Sequence, residues 1–218
     1  MKITCHMIMS VDGRLISKYW SPLYNASSSV TEVYEAADAK LSADGWIVGR
    51  KTMAEYGADV VEEKEPMEGH KTMQTNTFIG KREGRPLAVV FDIQGRLHYK
   101  SPTLPSGEHI VAVLGSHVTR AYQKELEEIG VSYIMRTPGS KLEETQSALK
   151  HLEHDFNVKH MLLEGGAITC GNFLQMGLVD ELSMIVYPGL DGESGHPSVI
   201  ECQGVVEPLK KNRLELID

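Results

Sequence analysis

Cysteine is scarce. The three thiols, Cys5, Cys170 and Cys202, stand far apart with no C-x-x-C pair, which excludes a disulfide framework and a cysteine-based zinc site. Cys5 lies in an apolar run and Cys170 beside a glycine-rich turn, so both are expected as buried free thiols of a reducing compartment. Positive charge is also in deficit: 22 Lys and Arg face 30 Asp and Glu, a formal charge of −8. Sequence-independent nucleic-acid binding needs cations to neutralise phosphates, so no nucleic-acid partner is expected. A single phosphorylated ligand remains open, because a few local cations or a helix N-terminus suffice for it. Long hydrophobic runs are missing. The first run, from Ile3, reaches only Met9 before Asp12 follows, too short for a signal peptide's apolar region or a bilayer span. A cytoplasmic protein without a membrane partner is the expectation. The nine histidines are scattered. His151 and His154 have helical spacing but no partnered carboxylate pattern, so no metal site is expected. No repeat, low-complexity tract or clear linker divides the chain, which reads as one domain over residues 1–218.

What is present is an alternation of short apolar runs with amphipathic segments. Ile3–Met9, Gly45–Val48, Leu87–Phe91, His109–Leu114, Val131–Met135, His160–Leu163 and Leu182–Tyr187 read as strands. Several are continuously apolar, the pattern of strands covered on both faces. Helices are expected over Ser29–Ser42, with Val30, Val33, Tyr34, Ala37 and Leu41 on one stripe, and over Val118–Ile129, ending at Gly130. Two more are expected over Lys141–His154 and Ala167–Met176, the last stopped by Gly177. Strand–helix alternation argues for an α/β fold with a mostly parallel central sheet and helices on both faces. Leu209–Ile217 is read as a further edge strand. Glu55–Arg85, acid-rich and with little periodicity, reads as a long loop, either a functional lid or partly disordered.

Three segments fall at strand ends, where open α/β sheets bind ligands. Ser10–Ile16 follows the first strand; its Asp12-Gly13 pair is by itself a turn signal. Trp46–Met53 is a strand closing at Gly49 and a helix opening near Thr52, with Arg50 and Lys51 adding cations beside exposed backbone donors. It suits a phosphate, or equally a plain helix start with two solvated cations, and it lacks the G-x-G-x-x-G and P-loop spacings. His160–Thr169 is a buried strand ending at Glu164, then Gly165-Gly166 leading into a helix. Two glycines allow a close backbone approach that side chains would forbid, and the carboxylate can accept hydrogen bonds from a substrate.

In this order the segments resemble the reductase domain of bacterial riboflavin biosynthesis, a member of the dihydrofolate-reductase-like superfamily. Ser10–Leu15 matches its S-x-D-G-[KR] turn and Asp44–Thr52 its phosphate-contacting helix start. Arg85–Asp92 with Gly95-Arg96-Leu97 matches its central strand and D-x-x-x-R turn. Leu163–Leu190 matches the E-G-G turn and the following Gly177-Leu178-Val179-Asp180-Glu181-Leu182 block. The resemblance implies a three-layer dihydrofolate-reductase-like fold, NADPH as cofactor, a small-molecule substrate of the aminopyrimidine ribosyl phosphate class and a homodimer. Residue by residue, it implies that Gly49, Arg50 and Thr52 line the cofactor phosphates. It places Arg96 near the adenosine 2′-phosphate, and Gly165, Gly166, Ala167, Ile168 and Thr169 around the pyrophosphate and nicotinamide. Asp12 and Glu164 would face the substrate, Glu164 as a candidate proton donor.

Two features depart from that pattern. The D-D-P-x-L-T-x-R run that follows the phosphate-contacting helix is replaced by Ala54–Val60, and Ile93 stands where the D-x-x-x-R turn usually has a small hydroxyl residue. The zinc-deaminase signature, an H-x-E paired with P-C-x-x-C, is missing, so a reductase alone is expected. A dihydrofolate reductase, with Glu32, Glu35 or Asp38 holding the pterin, and a non-catalytic NADP-binding protein of the same fold are the alternatives.

Overall fold

The computed structural model describes residues 1–22, 28–57, 60–69, 77–203 and 213–217. Among the described residues, nine strands and five α-helices follow one another as β1 (Lys2–Ser10), α1 (Val30–Asp38), β2 (Gly45–Gly49), α2 (Arg50–Tyr56), β3 (Val60–Glu62), β4 (Leu87–Phe91) and β5 (Leu97–Tyr99). Then come β6 (His109–Leu114), α3 (Arg120–Ile129), β7 (Ser132–Met135), α4 (Lys141–Asp155), β8 (His160–Leu163), α5 (Ala167–Gln175) and β9 (Glu181–Tyr187). Seven strands form one sheet in the order β7-β6-β4-β2-β8-β1-β9, and β3 pairs with β5. The pairs β1–β9, β2–β4, β4–β6 and β6–β7 are parallel, so the fold is the mostly parallel α/β class that the apolar runs predict.

The chain divides into two compact units, Met1–Lys2 with Ala43–Leu162, and Ile3–Ser42 with Leu163–Asp218. In the first, Leu87 to Val90 of β4 and Val111 to Leu114 of β6 are fully buried, which explains their continuous apolar character. Met53, Leu97, Tyr99, Tyr122, Leu126 and Tyr133 pack with Val90 and Ile110 into its core. Gly45 sets the approach of β2 to β4: its φ is +154°, and a Cβ there would lie 2.1 Å from the Leu87 carbonyl oxygen. The second unit carries the β1–β9 ladder, running from Thr4↔Glu181 to Ser10↔Tyr187.

Several boundaries differ from the sequence pattern. The first helix stops at Asp38 rather than Ser42; turns carry the chain through Leu41, and Ser42 sits at a φ of +48°. The third begins at Arg120 because the Thr119 side chain accepts the Tyr122 N–H and caps it there. Strands β3 and β5 escape sequence reading, since three residues are too few to display a period. Leu209–Lys211 and Asn212 of the expected last strand lie outside the described residues, while 213–217 are exposed without regular structure.

Candidate active site

In the first unit, Gly49 ends β2 and Arg50 opens α2. Arg50 forms an ion pair with Glu62, and Arg96 reaches the same Glu62 Oε1 at 3.2 Å. Arg96 Nε also donates to the Glu63 carbonyl at 2.6 Å. Beneath this pair lies Asp92, fully buried, whose Oδ2 accepts the backbone N–H of Arg96 at 2.6 Å and of Leu97 at 2.8 Å. Burial pushes the Asp92 carboxyl up, against those two hydrogen bonds and the nearby Arg50 charge. Burial, with Arg96 close by, lowers Arg50 from its ordinary value. Thr52 is half-buried in the first turn of α2, and Lys51 points to solvent. The structure thus gathers Arg50 and Arg96 around one carboxylate, in a unit that also supplies Gly49 and Thr52.

In the second unit, Asp12 closes the turn after β1. Its Oδ1 accepts the Ser10 hydroxyl at 2.7 Å and the Asp191 N–H at 3.2 Å; its Oδ2 accepts the Gly192 N–H at 2.9 Å. These donors, the Ser10 hydroxyl first, hold Asp12 well below the usual carboxylate range. It is an ionised anchor, tying the turn to the loop after β9, and not a proton donor. Glu164 hydrogen-bonds with the Tyr34 hydroxyl, which also donates to the His6 carbonyl at 3.0 Å. Burial, then the Glu164 and Asp38 charges, push Tyr34 far above its ordinary value. Gly165 has a φ of +115°, which a side chain would resist, and Met7 lies about 3.5 Å from the position of its missing Cβ. The Gly165–Gly166 peptide is cis. Ala167 is buried, Thr169 half-buried and Ile168 39% exposed at the start of α5.

Helix starts divide into two kinds. Ser29, Thr119 and Ser140 cap α1, α3 and α4 through their side chains. Gly49 and Gly166 precede α2 and α5, with no side-chain cap at either among the described residues. Amide donors left without an internal side-chain acceptor suit an anion, so these residues fit a cofactor's phosphates.

Three site residues escaped sequence reading. Tyr34 belongs to the apolar stripe of α1, which made it look like core. Glu62 is one acid in an acid-rich stretch, and only the β3–β5 register of Glu62 with Leu97 reveals its neighbours. Asp92 signalled a turn, not a buried charge. Glu32, a candidate pterin ligand, instead completes a capping box with Ser29. Among the described residues, no group of three or more His, Cys, Asp or Glu side chains is arranged to hold a metal.

The model of the RibD C-terminal domain family matches residues 1–218. The chain belongs to that family. It is an oxidoreductase of the riboflavin-biosynthesis reductase group. The fold of this RibD C-terminal domain protein is shared by RibD of Acinetobacter baumannii (20% identity, TM-score 0.61), matched over 100% of this chain and 53% of that one. It is shared by a pyrimidine reductase-like protein of Corynebacterium diphtheriae (18%, TM-score 0.59), over 92% of this chain and 79% of that one. Riboflavin biosynthesis reductase Rib7 of Saccharomyces cerevisiae (16%, TM-score 0.57) matches over 91% and 77%. This chain therefore spans about half the length of the A. baumannii protein. No curated protein sequence matches. No helix among the described residues is long and apolar enough to cross a membrane.

Proposed function

We propose that this protein is an NADPH-dependent reductase whose substrate is 5-amino-6-(5-phosphoribosylamino)uracil or a close relative, working as a single cytoplasmic reductase domain and as a homodimer. The contrast in helix starts carries the reading: Gly49 and Gly166 stand uncapped where Ser or Thr caps the other helices. Gly49, Arg50, Thr52 and Arg96 are proposed as ligands of cofactor phosphate, and Gly165 to Thr169 as the backbone cradle of the pyrophosphate and nicotinamide side. The nicotinamide supplies the hydride; the protein's part is orientation and a proton.

Glu164 is proposed as the proton source. Tyr34 has one hydroxyl proton and two acceptors, the His6 carbonyl and Glu164. Glu164 stands directly after β8 at the strand end, where a carboxyl group can deliver a proton to a newly reduced centre. Asp12, ionised and anchored, is proposed to position the substrate-side turn.

Fluorescence titration with NADPH tests the cofactor assignment. Wild type is expected to bind, with affinity falling about tenfold or more in Arg50→Ala and in Gly166→Val. Unchanged binding in both variants sinks the assignment. Assaying dihydrofolate beside the aminopyrimidine separates the two substrate classes.

A further inference from the structure

We propose that Glu62 is a built-in competitor for phosphate at the Arg50–Arg96 pair, and thereby narrows the margin by which the protein prefers NADPH to NADH. This rests on Arg50 and Arg96 being cofactor ligands, as proposed above. The placement follows from backbone geometry. Strand β3 runs antiparallel to β5 with Glu62 opposite Leu97, the Glu63 N–H donates to the Arg96 carbonyl at 2.9 Å, and Arg96 Nε returns a bond to the Glu63 carbonyl. Glu62 is thus delivered to both guanidinium groups. The three side chains are 20% (Arg50), 17% (Arg96) and 26% (Glu62) exposed, sheltered from bulk screening yet within reach of a ligand.

A guanidinium pair suits a phosphate dianion, with planar donors matched to its oxygens. Here those donors already face a carboxylate. The phosphate and Glu62 are like charges and cannot share the seat, so binding of a 2′-phosphate requires Glu62 to leave it. A ribose with a free 2′-hydroxyl presents a donor instead, which a carboxylate accepts. Glu62 therefore penalises the phosphorylated nucleotide selectively. Its removal does not strip the arginines of counter-charge, because Asp92 remains bonded to the Arg96 backbone and within the field of Arg50.

Titration of wild type and Glu62→Gln with NADPH and NADH, and with 2′,5′-ADP and 5′-AMP as fragments, decides the matter. The substitution is expected to tighten NADPH and 2′,5′-ADP by about tenfold or more while leaving NADH and 5′-AMP unchanged or weaker. Glu63→Gln removes the same charge one residue away, where the backbone N–H and carbonyl meet Arg96, and is expected to leave the preference within about twofold. Equal changes for both nucleotides, no change, or the same change in Glu63→Gln overturns the proposal. Should Glu62→Gln melt too early to titrate, Glu62→Asp, which keeps the charge but draws it back, is expected to shift the preference in the same direction by less; an unmoved preference overturns it. Failure of wild type and both Gln variants to bind either nucleotide overturns the cofactor reading itself, and this inference falls with it. Binding with an unaltered ratio overturns the inference alone.

Discussion

Asp12 and Glu164 are both carboxylates at strand ends, yet their neighbours give them opposite tasks. Asp12 accepts one hydroxyl and two amide protons, all of which favour the ionised form. Glu164 faces Tyr34, whose single proton is drawn toward the His6 carbonyl. Tyr34→Phe removes a hydroxyl donor from beside the Glu164 carboxylate. Turnover is expected to fall about three- to tenfold, with the decline in turnover at rising pH beginning later than in wild type, because the lost donor no longer favours the ionised carboxylate. Initial rates of NADPH oxidation across a pH series measure both; an unchanged profile would remove Tyr34 from the chemistry.

At the scale of elements, the site depends on where strands end. Strand β2 delivers Gly49 and Arg50 only because Gly45 lets its backbone lie against β4 in the register Gly45↔Leu87 to Gly49↔Phe91. A methyl at residue 45 would overlap the Leu87 carbonyl at a φ already unfavourable for a side chain. Gly45→Ala is therefore expected to destabilise the fold by roughly 3 kcal/mol or more, seen as a lower urea midpoint with an unchanged slope. The same register explains the failure of sequence reading at β3. That strand has no periodic signature, and its importance comes from the antiparallel partner that places Glu62 beside Arg96.

For the molecule as a whole, His109 links stability to pH. It is fully buried; its Nε2 shares a 2.7 Å hydrogen bond with the Ser132 hydroxyl, which itself accepts the Gly80 N–H. Burial, then the charges of Arg82 and Arg85, lower it from 6.5 to about 4. The unfolded chain therefore takes up a proton at higher pH than the folded one. Stability from this residue is complete above 6.5 and is lost as pH falls toward 4. Between pH 7.5 and 5 the loss is expected to reach at most about 2 kcal/mol. Denaturant titrations at the two pH values should show a smaller loss in His109→Gln.

The sequence by itself determined the α/β class, the positions of the seven sheet strands and the family. Continuous apolar runs must be buried on both faces, and glycines at strand ends mark backbone that cannot carry a side chain; both are local properties. It was silent on what each charged group meets. Tyr34 against Glu164, Asp92 beneath Arg96 and Glu62 between two arginines are contacts between residues 4 to 130 positions apart. Only the tertiary structure decided these. A carboxylate's charge state and task follow from the donors, cations and solvent around it, and the chain's folding chooses those neighbours.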